Sequence, residues 1–125
     1  MEGDRRMPTT KSSSASTAGK TKQFCSTRDV LVRVDDLQKA TEFYTETLGL
    51  NPTQHSPTLV GFETGAFTLY LDAGKPVGPI FEFVVPDVDA ARERLVTAGC
   101  SIIRWEGPHR WLRDPYGLMF NLRGE

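Results

Sequence analysis

Apolar and polar residues alternate along four segments of the chain, which is the two-residue period of a β-strand with one buried face. The segments are Val30–Val34, Phe67–Leu71, Phe81–Val85 and Leu118–Leu122. The first and third segments are separated by 51 positions (30 to 81), and so are the second and fourth (67 to 118). Agreement at two distant pairs of segments indicates an internal repeat.

Each copy of the repeat carries a predicted helix after its first strand. In the first copy Asp35 and Asp36 are both candidate caps of the helix N-terminus, and Gly49 ends the helix. Its apolar stripe recurs at steps of three or four and comprises Leu37, Ala40, Tyr44 and Leu48. In the second copy Asp87 and Gly99 take the same places. The matching stripe comprises Val88, Ala91, Leu95 and Ala98.

The fold class follows from combining the two copies. Weaker strand signals lie at residues 59–62, 101–105 and 111–113, whereas residues 53–57, which include His55, are interpreted as a polar loop. The sequence therefore predicts an α+β fold, in which tandem βαβββ repeats form a curved eight-stranded mixed sheet with the helices on its convex face. A single domain is predicted over residues 25–125, with repeat 1 at about 26–75 and repeat 2 at about 78–123.

The alternation also assigns the side chains of the strands to two faces. The helix-side face is apolar and comprises Val30, Val32, Val34, Leu69, Leu71, Phe81, Phe83, Val85, Phe120 and Leu122. The opposite face is mixed, and its carboxylates Asp29 and Glu82 are expected to be balanced by Arg33 and Arg123. Aromatic walls, charge pairs and an amide suit a planar or heterocyclic molecule. The predicted ligand-binding residues are Asp29, Leu31, Arg33, Thr68, Tyr70, Ile80, Glu82, Trp111, Met119 and Asn121.

Composition and charge limit the classes of partner. Lys and Arg number 15 against 16 Asp and Glu in 125 residues, so there is no electrostatic argument for nucleic acid. No stretch approaches the roughly 18 consecutive apolar residues of a membrane span. Cys25 and Cys100 lack metal-site or redox spacing and are expected to be free thiols, which indicates a reducing, cytoplasmic compartment.

The first 24 residues are rich in Ser, Thr and Lys and poor in apolar side chains. This composition predicts a disordered tail. It also has the basic, hydroxylated character of an organelle transit peptide, but Glu2 and Asp4 disfavour that interpretation.

Three motifs give the chain a family resemblance over residues 26 to 123. They are VDDLQKATEFYTETLGL, its counterpart VPDVDAARERLVTAG, and LRDPYGLMFNL. In this order they resemble the vicinal-oxygen-chelate superfamily of glyoxalases, bleomycin-resistance proteins and extradiol dioxygenases. The resemblance implies a homodimer, and it implies metal ligands on the first and last strand of each copy. Those positions are occupied here by Asp29, Tyr70, Ile80 and Asn121.

Ile80 has no donor atom, and Tyr70 and Asn121 are poor ligands, so no metal or other cofactor is expected at the inherited positions. One alternative is a displaced, oxygen-rich metal site formed by Asp29, Asp72, Glu82 and Asn121. A catalytic divalent metal normally has about three protein ligands.

The resulting function hypothesis is a metal-free protein that binds a small organic molecule, as bleomycin-resistance proteins do. The alternative is a glyoxalase-like lyase or isomerase, or a dioxygenase, using either the displaced metal site or a metal-free acid/base. The acid/base candidates are Glu82 and His109, which lies beside Trp111. A third hypothesis is a dimerising scaffold without a ligand. Nucleic acid and membrane partners are not expected.

Overall fold

A computed structural model describes residues 24–125 of the chain. Its elements are β1 (Cys25–Val34), α1 (Leu37–Glu42) with a π-helical turn after it (Phe43–Thr47), β2 (Pro52–Ser56), β3 (Leu59–Glu63), β4 (Thr68–Ala73), β5 (Val77–Val85), α2 (Val88–Thr97), β6 (Ser101–Glu106), β7 (His109–Arg113) and β8 (Met119–Gly124). Both helices begin with the predicted caps. The Asp36 carboxylate accepts a hydrogen bond from the Lys39 N–H, and the Asp87 carboxylate accepts one from the Ala90 N–H, each at 3.0 Å.

All eight strands form one sheet in the order β2-β3-β4-β1-β5-β8-β7-β6. Within each copy the first and last strands are parallel, β1 with β4 and β5 with β8, and the other pairs are antiparallel. The two copies join at the centre through antiparallel pairing of β1 with β5. The tandem βαβββ prediction and the mixed eight-stranded sheet are confirmed, while the curvature of the sheet stays a prediction.

Each helix packs on the strands of its own copy. In the first copy Val60, Phe62 and Leu71 are buried against side chains of α1 and the turn after it. In the second copy Ala91 of α2 is buried with side chains of the strands beneath it. Those strand residues are Val85, Leu112, Phe120 and Leu122. The helix-side face of the sheet therefore forms two hydrophobic clusters.

The middle of the helix-side face lies between the two helices and is not covered by either. Val30, Val32, Leu69, Phe81 and Phe83 line a groove of about 430 Å³ there. Phe81 remains 38% exposed. The alternation placed Val30, Val32, Leu69 and Phe83 on the correct face, whereas Phe81 borders both this groove and a cavity on the opposite face. The expectation of complete helix cover is wrong at the centre.

The first helix departs from its predicted stripe. Leu37, Ala40 and Tyr44 pack on the first cluster as expected, but Leu48 is 54% exposed and Leu50 packs in its place. The π-helical turn at Phe43–Thr47 explains the difference, because it adds a residue to the turn and shifts the stripe that a regular α-helix would present.

The tail prediction falls on residues 1–23, outside the described residues, and on Phe24. The Phe24 ring packs against Phe83 at a centroid separation of 5.8 Å. Both cysteines carry free thiols, with Cys25 exposed and Cys100 buried. Between residues 24 and 125, no helix is long and apolar enough to span a bilayer.

Candidate functional site

A cavity of about 400 Å³ lies on the face of the sheet opposite the helices, and we call it the open-face cavity. Both copies of the repeat line it, through strands β2, β3, β4 and β1 of the first copy and β5, β7 and β8 of the second. Its lining residues are Asp29, Leu31, His55, Leu59, Tyr70, Ile80, Phe81, Glu82, Pro108, His109, Trp111 and Asn121. Seven of the ten predicted ligand-binding residues are in this set, together with the candidate His109.

Tyr70 stands on the cavity side of β4 because Leu71, its neighbour, points into the helix-side core and is completely buried. Gly61 of β3 pairs with Tyr70 across the strands. The missing side chain at Gly61 leaves room for the His55 ring, whose centroid lies 5.5 Å from that of Tyr70. Two aromatic rings therefore form one wall of the cavity.

The interpretation of residues 53–57 as a loop is wrong, since His55 belongs to β2 and lines the cavity although it is exposed. The short segment carries no apolar alternation that would have marked it as a strand. The repeat held the missing signal: the strand predicted at 101–105 implies a counterpart 51 positions earlier, at 50–54.

Glu82 is held in place from two sides. Its Oε2 accepts a hydrogen bond from Asn121 Nδ2 at 3.2 Å, and its Oε1 lies 3.4 Å from Arg123 Nη1. The Asn121 side-chain oxygen in turn accepts a hydrogen bond from the Arg110 N–H at 2.8 Å. The amide of Asn121 is thus already bonded at both ends, which fixes the Glu82 carboxylate at the cavity wall.

Asp29 differs from Glu82 in having no ion pair or side-chain hydrogen bond to its carboxylate among residues 24–125. The expectation that Arg33 balances a cavity carboxylate is wrong. Arg33 Nε instead lies 3.0 Å from Asp72 Oδ2 on the adjacent strand β4. Register explains this choice, because parallel pairing of β1 with β4 sets Arg33 directly opposite Asp72.

Trp111 is only 5% exposed and lies close to two arginines. The guanidinium carbons of Arg33 and Arg104 are 5.4 Å and 5.2 Å from its ring centroid, within cation–π range. The His109 ring meets Trp111 edge-on, with centroids 5.8 Å apart. Trp111 therefore borders the cavity as a rigid, packed ring. Trp105 belongs to the helix-side cluster of the second copy and does not line the cavity.

Three predicted ligand-binding residues lie outside the lining. Arg33 is engaged with Asp72 and Trp111 as described, and the Thr68 hydroxyl donates to Glu63 Oε1 at 2.9 Å. Met119 is buried with Ile80 and Trp111 in a small apolar cluster on this face. Met119 therefore supports the cavity wall without reaching the space inside.

The four positions that the resemblance assigns to metal ligands do not make a donor set for a divalent cation. Ile80 is 2% exposed and offers no donor atom, and the Asn121 amide is hydrogen-bonded to Glu82 and to the Arg110 N–H. Within the described part of the chain, no three His, Cys, Asp or Glu side chains are grouped so as to hold a metal ion. The residues present thus do not fit the usual metal.

The electrostatic character of the cavity is visible at Tyr70. Burial raises the pKa of the Tyr70 phenol above its ordinary value, and the negative charges of Asp29, Glu63 and Glu82 raise it further. Tyr70 consequently stays protonated at neutral pH and can donate or accept a hydrogen bond. The potential around it is negative.

Comparison with known proteins agrees with this architecture. A family model described as the Glyoxalase/Bleomycin resistance protein/Dioxygenase superfamily matches residues 28–122. No curated protein sequence matches the chain. A member of the same superfamily from Vibrio splendidus 12B01 aligns with a TM-score of 0.59 and 14% identity, over 81% of this chain and all of that one.

Two enzymes of known activity also share the fold. The Mn(II)-bound glyoxalase from Novosphingobium aromaticivorans aligns with a TM-score of 0.52 and 21% identity, over 78% of this chain and 38% of that one. Homoprotocatechuate 2,3-dioxygenase from Brevibacterium fuscum, in complex with 3,4-dihydroxyphenylacetate, aligns with a TM-score of 0.56 and 20% identity, over 82% and 37%. The chain spans less than half the length of either enzyme, and identities this low establish a common fold alone.

Proposed function

Because the chain belongs to the Glyoxalase/Bleomycin resistance protein/Dioxygenase superfamily, we propose that it is a metal-free protein that binds a small, planar organic molecule in the open-face cavity. The observation that carries the proposal is the composition of the cavity wall. Aromatic rings and fixed polar groups from both copies converge there, while the positions inherited from metal-binding relatives hold Ile80 and an amide already in use.

The size of the cavity supports this function. At about 400 Å³ it falls in the range of roughly 300–1,000 Å³ that is typical of small-molecule sites. Leu31, Leu59 and Ile80 supply apolar surface, and Tyr70 supplies a hydroxyl that remains protonated. A flat molecule could stack on the rings of Tyr70, His55 or His109 and hydrogen-bond at its edge.

Trp111 reports on binding rather than providing a free stacking surface, since two guanidinium groups already lie against its ring. The only other tryptophan, Trp105, packs in the helix-side core with Arg92 over its ring at 4.9 Å. The two tryptophans therefore form a matched pair, one at the cavity and one away from it.

The test is intrinsic fluorescence during titration with planar heterocycles, in the presence of EDTA, with chromatography of the ligand afterwards. We expect saturable quenching in the wild type and in Trp105→Phe, loss of the quenching signal in Trp111→Phe, and recovery of unchanged ligand. Chemical conversion of the ligand, or binding that appears only after a divalent metal is added, would reject the metal-free binding function.

A second candidate function is a metal-free enzyme of the lyase or isomerase type. The observation in its favour is that His55, Tyr70, Glu82 and His109, all groups that can transfer protons, line one cavity. In this case turnover would be lost in His109→Ala or Glu82→Gln, while ligand binding persisted. The cavity would then be an active site with His109 or Glu82 as the acid/base.

The oligomeric state belongs to the same proposal. The family resemblance implies a homodimer, and a cytoplasmic location fits the two free thiols. Native mass spectrometry of freshly purified protein reads subunit number, co-purified ligand and bound metal in one experiment. A dimer without metal is the expected species.

A further inference from the structure

We infer that the molecule bound in the open-face cavity carries a positive charge, and that Asp29 is its ion-pair partner. This inference rests on the proposed function, since it specifies the chemical class of the ligand that the same cavity takes.

The charges that line the cavity are of one sign. Asp29 and Glu82 are acidic, and within residues 24–125 no lysine or arginine side chain belongs to the lining. The two lining histidines, His55 and His109, are exposed and half-buried.

Three arginines on this face of the sheet are paired with carboxylates, and a fourth, Arg113, donates a hydrogen bond to Met119 Sδ at 3.5 Å and lies outside the cavity lining. The ion pairs are Arg33 with Asp72, Arg104 with Glu106, and Arg123 with Glu82. Each pair is neutral as a unit. Asp29 is the one carboxylate in the lining for which residues 24–125 provide no ion-pair partner.

The surroundings of Asp29 make an external cation favourable. Asp29 is half-buried, beside apolar Leu31 and Phe81 in the cavity wall. A charge in such a place interacts more strongly with an opposite charge than it would in water, because the medium around it screens less. A cation brought there also regains for Asp29 the interactions that partial burial removed.

Two further features favour a cation over a neutral molecule. Burial raises the pKa of the Tyr70 phenol most, and the carboxylates Asp29, Glu63 and Glu82 raise it further, which is consistent with a negative potential between Asp29 and Tyr70. The Tyr70 ring also presents a π face, which attracts cations within about 6 Å. A flat aromatic cation could thus meet a carboxylate and a ring together.

The test uses three probes of the same ring shape and different charge at pH 8: N-methylacridinium, acridine, and acridine-9-carboxylate. Their affinities are measured by calorimetry with the wild type, Asp29→Asn and Glu93→Gln. Glu93 is exposed on α2, so its variant makes the same change in net charge away from the cavity. Acridine binding to each variant reports whether the cavity is intact.

We expect N-methylacridinium to bind the wild type and Glu93→Gln at least about tenfold more tightly than acridine, a difference of about 1.4 kcal/mol. We expect Asp29→Asn to bind both probes equally, and we expect the wild-type preference to shrink with added salt.

The other outcomes overturn the inference in distinguishable ways. Equal or tighter binding of acridine or its carboxylate by the wild type would refute the cationic class and leave the proposed binding function standing. A cation preference that survives in Asp29→Asn would refute the role of Asp29. Absence of binding by all three probes at about 1 mM would count against the proposed function as well.

Discussion

Replacing Gly61 with alanine adds one methyl group to the aromatic wall of the open-face cavity. A Cβ atom at this position would lie 2.8 Å from His55 Nε2 and 3.1 Å from Tyr70 Cε1. Ordinary contacts of this kind begin at about 3.4 Å, so the His55 ring must move by about 0.6 Å, the difference between 3.4 and 2.8 Å. His55 is exposed, so its ring can move outward without disturbing the core.

The expected effect on stability is therefore small. Alanine recovers roughly 0.5–1 kcal/mol relative to glycine inside a strand, and this offsets most of the cost of moving an exposed ring. If the ring could not move, overpacking would cost about 1–3 kcal/mol. We expect the free energy of unfolding in urea to change by less than about 1 kcal/mol, while the NMR resonances of the His55 ring shift and the fluorescence-detected affinity for a planar ligand falls.

Gly124→Ala is the control, since its Cβ would meet Val88 Cγ2 at 3.6 Å, an ordinary contact. This variant should leave both the His55 resonances and ligand affinity unchanged. Unchanged His55 resonances in Gly61→Ala, or a loss of stability beyond about 2 kcal/mol, would show that His55 does not occupy the space above Gly61 as a movable wall.

Two ionisation predictions accompany this one. Ultraviolet titration should show Tyr70 ionising with a pKa above its ordinary value of 10.0, and Asp29→Asn should lower this pKa because it removes one of the charges that raise it. Because the pKa is raised in the folded state, the unfolded chain loses the Tyr70 proton first, and the free energy of unfolding should fall as pH rises above about 10. A Tyr70 pKa unmoved by Asp29→Asn would contradict the negative potential assigned to the cavity. Exposed Cys25 should react with a thiol reagent at least about tenfold faster than Cys100, whose pKa is raised by burial and by Asp114. Cys25→Ser should remove the fast phase of this reaction, and a fast phase that survives would show that Cys100 is accessible.

Features that depend on residues close together in the sequence could be predicted, whereas features that depend on distant residues could not. Alternation along a strand and the spacing of an apolar helix stripe are local, so they were legible in the sequence and placed Tyr70 and Glu82 on the cavity side and Leu71 and Leu122 on the helix side. The helix caps Asp36 and Asp87 were equally local and were confirmed.

His55 marks the limit of that local information. Its segment becomes a strand only because it pairs with β3, and a polar segment at the edge of a sheet needs no apolar alternation of its own. The groove around Phe81 also depends on tertiary packing, since the helices of the two copies pack on separate hydrophobic clusters.

The sequence by itself determined the repeat, the fold class, the two faces of the sheet and the loss of donor chemistry at Ile80, because each of these follows from residue type and spacing. Only the tertiary structure decided which charges pair, which rings meet and which groups remain available. The sequence offers several carboxylates as partners for Arg33, and the register of β1 against β4 places it opposite Asp72, with which it forms an ion pair. That pairing leaves Asp29 without an ion-pair partner among residues 24–125, because the partner of a charge is set by distances across strands that lie far apart in the chain.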